Sequence, residues 1–114
     1  MKIEIKKRPR KFKINIGRKK IELSDTAKIY LKKNEQVTFS YLNSEYDVAK
    51  KDWGYYATPS INGRLKNFGF RTFLIKNRSN KIYIFLVHKN KMKTFRKYCK
   101  DDNQKVVTEL TNGI

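Results

Sequence analysis

The chain has one cysteine, Cys99, and one histidine, His88, in 114 residues. A lone cysteine excludes an internal disulfide and a cysteine-cluster zinc site, and one His among scattered acids makes a poor metal centre. Neither a metal nor a cofactor is expected. Long apolar runs are missing as well: the longest, Ile82 to Val87, is far too short to cross a bilayer. Met1-Lys2 opens on charge, without the apolar stretch of a secretory leader. The expectation is therefore a cytoplasmic protein with no membrane partner. Phosphate-loop glycine patterns are also lacking, since Gly54, Gly63 and Gly69 are spaced nine and six apart.

The scarcest feature is negative charge in the second half. From Trp53 to Lys100 there is no Asp or Glu. Residues 1–20 carry ten Lys/Arg against Glu4, and residues 61–100 carry twelve against none, whereas residues 21–60 are almost balanced. The total of +18 is by itself weak evidence: Lys, Asn, Ile, Phe and Tyr make up 56 of the 114 residues, and all five are served by AT-rich codons. Codon bias inflates lysine but does not clear acids from one half of a chain. A surface field of one sign is the footprint of a polyanion binder, and equally of a well-solvated basic face.

Apolar residues alternate with polar ones through much of the chain. Ile3 and Ile5, then Phe12, Ile14 and Ile16, then Ile21 and Leu23 after a Gly17-Arg18 turn, read as strands with one wet face. Ala27, Ile29 and Leu31 and then Val37, Phe39 and Tyr41 read as a hairpin closed by Lys33-Asn34. The polar cluster from Asn43 to Asp52 reads as a loop. Phe70 to Lys76 and Ile82 to His88 read as strands about the turn Asn77 to Asn80, the second apolar enough to be central. Met92, Phe95 and Cys99 at i, i+3 and i+7 predict a helix. Val106 and Leu110 continue the spacing after a break marked by Asp101 and Gln104. The expected fold is an α+β domain over residues 1–114. It has an antiparallel sheet of about six short strands, a short helix near residues 59–68 and a C-terminal helix on one face. Residues 1–11 read as a basic arm or a mobile tail.

Between these strands lies DWGYYATPSINGRLKNFGF, Asp52 to Phe70, with the only Trp and three of the five Gly. Thr58 is placed to cap a helix with Pro59 at its first position, and Gly69 to end it. Ile61, Leu65 and Phe68 then share a face. Such a helix start favours an anion, with Thr58 and Ser60 as hydroxyl donors and Arg64 one turn on. Trp53, Tyr55 and Tyr56 just before it are candidates to stack on a base. Arg64, Lys66, Arg71 and Arg78 are the candidates for phosphate. The interleaved Lys28, Tyr30 and Lys32, and Lys11, Lys13 and Asn15, offer a second surface of the same kind. Plainer alternatives stand beside these: a capping threonine, a core tryptophan, and lysines that keep strands soluble.

The run from Gly69 to Tyr98 loosely resembles the C-terminal half of RelE-type messenger-RNA-cleaving toxins, over about a quarter of the chain. That resemblance implies metal-free RNA cleavage, with Arg71, His88, Lys91, Arg96 and Tyr98 as candidates. The N-terminal half departs from the family, which begins with helices where this chain has strands.

The leading expectation is a non-enzymatic nucleic-acid-binding protein, with single strands slightly favoured, that combines phosphate contacts and aromatic stacking. The alternative is an interaction module of phage or host-takeover type that docks a basic face on an acidic protein.

Overall fold

Apolar residues in β1 (Lys2–Ile16) sit at odd positions 3 and 5 and then at even positions 12, 14 and 16, while those of β2 (Lys19–Tyr30) stay odd throughout. A change of parity in one strand against a constant partner demands an odd number of extra residues. The computed structural model, which describes residues 1–16 and 19–114, contains that bulge. Pairing runs from Lys2↔Tyr30 to Ile5↔Ala27 and resumes at Arg10↔Asp25, so Lys6 to Pro9 stand opposite Thr26 alone. Pro9 has no N–H to give the ladder, which suits it to this place. The run that reads as a basic arm or tail thus lies within a long ribbon. The expected Gly17-Arg18 turn falls outside the described residues.

The hairpin expected around Lys33-Asn34 is not formed. β3 (Gln36–Tyr41) pairs instead with β4 (Ser44–Lys51), which pairs with β5 (Gly54–Ala57), giving a three-stranded antiparallel sheet in the order β3-β4-β5. The sequence of β4 reads as a loop because its most buried residues are Ser44, Asp47 and Ala49 rather than large apolar ones.

The helix expected over 59–68 is shortened to α1 (Arg64–Asn67), with Gly63 at its N-cap and no side-chain cap. Asn62-Gly63 is a poor helical dipeptide, and a turn occupies 61–63 instead. The Ser60 carbonyl accepts from Gly63 N (3.3 Å) and Leu65 N (3.0 Å). Gly69 does end the helix, at φ +91°, with its N–H on the Lys66 carbonyl. Leu65 is 1 % exposed and anchors the segment.

The second sheet is built from β6 (Phe70–Lys76), β7 (Ile82–His88) and β8 (Lys105–Glu109), in the order β7-β6-β8. The two expected strands and their turn are present with the expected limits, but the central strand is β6 and the apolar β7 is an edge. The cause is β8. Residues 105–109, expected to continue a helix, form a strand whose β-branched Val106 and Val107 suit a pleat. α2 (Met92–Asp101) stops before it at Asn103, which takes a left-handed φ of 52° while Gln104 N bonds the Cys99 carbonyl. Met92, Phe95 and Cys99 do share the buried face of α2. Phe95 meets Phe73, Ile75 and Val87, with ring centroids 5.1 Å apart for Phe73 and Phe95. The result is an α+β arrangement of antiparallel sheets with two short helices.

Its radius of gyration, 15.8 Å, exceeds the about 13 Å expected of a compact chain this long. The excess fits the β1–β2 ribbon, whose contacts are almost wholly internal.

Candidate nucleic-acid interface

Strand alternation divides the three rings offered by the sequence. Tyr55 pairs with Lys50 and shares its face of the β3-β4-β5 sheet, while Tyr56 pairs with Ala49 on the other. Trp53, in the β4–β5 turn, stacks on Tyr56 with centroids 6.0 Å apart and planes 22° from parallel. Trp53 is 72 % exposed, so it is not a core residue.

The Tyr55 face carries rings the sequence reading did not single out. Phe39 and Tyr46 are direct cross-strand partners on it, and Tyr41 lies opposite Ser44 one step on. Phe39, Tyr41 and Tyr55 are all more than half exposed, at 54, 55 and 62 %. Lys50 Nζ sits 5.3 Å from the Tyr55 ring centre, close enough for a cation–π contact. The signal was present in the alternation of Val37, Phe39 and Tyr41, but alternation indicates a face without saying whether anything covers it.

At the Tyr41 end this face runs into a cleft of about 610 Å³ beside α2, lined by Tyr41, Phe70, Phe85, His88, Lys91 and Tyr98 among others. The His88 ring lies between Tyr41 (5.3 Å) and Phe70 (4.8 Å). Ser44 Oγ donates to the Tyr41 carbonyl at 2.6 Å and lies 3.2 Å from His88 Nε2. With its one proton already given, the serine accepts, so Nε2 carries the hydrogen. Burial, then the Asp102 charge, raises the Tyr98 hydroxyl above its ordinary pKa, and burial raises the Cys99 thiol.

The cations offered for phosphate are mostly engaged. Arg64 Nη2 donates to Asp47 Oδ2 at 2.5 Å and to Thr58 Oγ1 at 3.2 Å. Asp47 is 2 % exposed and its Oδ1 has no partner among the described residues, so Arg64 compensates a buried charge. Thr58 does not cap α1; its hydroxyl donates to Gln36 Oε1 at 3.1 Å. Ser60 Oγ accepts from Arg64 N at 3.3 Å. The helix start expected to hold an anion is therefore not formed at Thr58. Arg71 makes a two-point pair with Glu109, and Lys66 Nζ donates to Asn112 Oδ1 at 2.6 Å. Lys66 and Arg71 do line one groove, together with Lys89 and Glu109. Arg78 stands apart at the β6–β7 turn, 3.9 Å from Asp102. Arg96 is exposed on α2.

The two lysine strips merge. Lys28 and Tyr30 on β2, and Lys11 and Lys13 on β1, have even-numbered β2 partners or positions and so share one face of the ribbon. Lys32 lies beyond the strand end. Among the described residues no group of three His, Cys, Asp or Glu comes together, and no helix is long and apolar enough to cross a membrane. No protein-family model, curated protein or solved structure matches the chain.

Proposed function

We propose that the chain binds nucleic acid, and that the Phe39–Tyr41–Tyr55 face of the β3-β4-β5 sheet receives the bases of a single strand. The observation that carries this reading is three aromatic side chains, each more than half exposed, on one face of an open sheet, with Lys50 beside Tyr55. Rings on an open sheet stack on bases without regard to sequence, and lysines meet the phosphates between. Charge supports the same class, with +18 overall and no acid from Trp53 to Lys100. Arg64 and Arg71 serve the fold through their ion pairs with Asp47 and Glu109, so phosphate contact on this reading falls to Lys50, whose Nζ also donates to the Lys51 carbonyl. Binding is non-enzymatic. Titration of a labelled single-stranded oligonucleotide tests it: micromolar or tighter binding that weakens with salt is expected. Tight binding of an acidic protein with no oligonucleotide bound would favour the interaction-module reading instead.

A specific observation favours one second reading. Three residues implied by the RelE-type resemblance, His88, Lys91 and Tyr98, line one cleft. Arg71 is held by Glu109 and Arg96 is not among the cleft residues, which leaves that constellation incomplete. An RNA-cleavage assay with chelator present decides it, and His88→Ala abolishes any cleavage that belongs to the cleft.

A further inference from the structure

The β1–β2 ribbon has the shape and charge of an arm that enters a groove. A two-stranded ribbon with no sheet or helix laid over it is marginal in water, yet this one extends seven paired positions past its bulge, from Arg10↔Asp25 to Ile16↔Lys19. At about 3.4 Å per residue that is roughly 20 Å of ribbon. Its faces are chemically distinct. One carries Phe12, Ile14, Ile21 and Leu23; the other carries Lys11 and Lys13 opposite Ser24 and Glu22.

Residues 1–30 hold eleven Lys/Arg and only three acids. Each acid is already matched: Glu4 with Lys2, Glu22 with Lys11, and Asp25 with Lys6. Lys7 and Arg8 in the bulge and Lys13 on the ribbon are exposed; among the described residues none of the three forms an ion pair, the Glu22 opposite Lys13 being taken by Lys11. On the lysine face this excess disfavours a second copy as the occupant, because two such faces brought together would oppose like charges. It favours a phosphate-lined groove.

We infer that the ribbon is an arm for B-form duplex DNA, inserted in the major groove with its lysine face inward and the bulge cations on the flanking phosphates. The major groove, about 12 Å wide and 8.5 Å deep, admits a two-stranded ribbon. The major groove of A-form RNA is too narrow for one. This inference rests on the nucleic-acid reading above but uses a different surface from the ring face.

The test measures duplex DNA, duplex RNA and single-stranded DNA of one sequence against the full chain and its Lys7→Ala/Arg8→Ala/Lys13→Ala variant, over a range of salt. All three positions are exposed, so the variant folds; matched circular dichroism and thermal unfolding check that. The full chain is expected to prefer duplex DNA over duplex RNA by tenfold or more. The variant is expected to lower the slope of log affinity against log salt on duplex DNA by about 2–3, since each lost phosphate contact removes about 0.9. Its single-strand affinity, set by the ring face, changes far less, and Lys7→Arg/Lys13→Arg retains the slope. An unchanged slope, or equal affinity for duplex RNA, overturns the arm while leaving the ring face standing. Failure to bind any of the three overturns both. A dimer held through Phe12 and Leu23, with duplex affinity indifferent to the variant, overturns the arm and makes the ribbon an interface between copies.

Discussion

Arg71 of β6 and Glu109 of β8 form a two-point ion pair across neighbouring strands, with Nε–Oε2 at 2.9 Å and Nη2–Oε1 at 2.6 Å. Thr111 Oγ1 donates to the same carboxylate at 2.6 Å and receives the Thr72 N–H at 3.1 Å. A residue that charge alone nominates for phosphate thus clasps the C-terminal strand to the central one.

This clasp predicts an acid-sensitive contribution to stability. Hydrogen bonds from Arg71, then Thr111, hold the Glu109 carboxyl at about 2 against its ordinary 4.5. A depressed carboxylate stabilises fully above its unfolded pKa, and the contribution is lost as pH falls from about 4.5 through about 2. The side chains are about a third exposed, so solvent screening reduces the full shift to about 1–2 kcal/mol. Thermal unfolding of Arg71→Met against the parent should show that deficit at pH 7 and little difference near pH 2. A gap that stays constant with pH would contradict the pairing.

Removing the cation from Asp47 should cost more than its surface position suggests. Arg64 is half exposed, but the carboxylate it meets is 3 % exposed and, among the described residues, already has one unpartnered oxygen. Arg64→Ala is expected to lose about 1–3 kcal/mol in urea unfolding. Asp47→Asn in the same chain should recover part of the loss, because no buried charge then remains. A double variant less stable than the single would contradict this.

Trp53 should be dispensable for folding. Its ring is largely exposed and leans on Tyr56, so Trp53→Ala is expected to shift stability by no more than about 0.5 kcal/mol. Acrylamide should quench its fluorescence freely. A shielded, blue-shifted emission would mean that something covers the turn.

The edge strand β7 exposes Ile82 and Ile84 without a charge between Ile82 and Val87, the combination that invites pairing with another chain. Ile84→Lys should leave the unfolding temperature within a degree or two and reduce heat-induced light scattering. Unchanged scattering would place self-association elsewhere.

Legibility in the sequence followed what each strand buries. β6 and β7 were readable to the residue because Phe70 to Lys76 and Ile82 to His88 are strand-like segments, the second a nearly continuous apolar run, on either side of the turn Asn77 to Asn80. The buried stripe of α2 was readable because Met92, Phe95 and Cys99 hold helical spacing. β4 was not, since its inward positions are Ser44, Asp47 and Ala49, and Asp47 is acceptable there only because Arg64 arrives from seventeen residues away. β8 was hidden because Val106 and Leu110 also fit a helical period, and missing β8 made β7 look central. The rings at 53, 55 and 56 were visible as a cluster. Their division between two faces depended on recognising β5 as a strand. Which of the cations have acid partners is a matter of long-range geometry, and no spacing rule reports it.

The central claim is that the Phe39–Tyr41–Tyr55 face stacks bases, and the most direct measurement is single-strand affinity of Phe39→Ala and Tyr55→Ala at low and moderate salt. Loss of a stacking ring should cost about 1–3 kcal/mol, or about 5- to 150-fold. Because stacking releases no counterions, the loss should persist unchanged as salt rises. Affinities equal to the parent at both salts would contradict the account and return the basic surface to a search for an acidic protein.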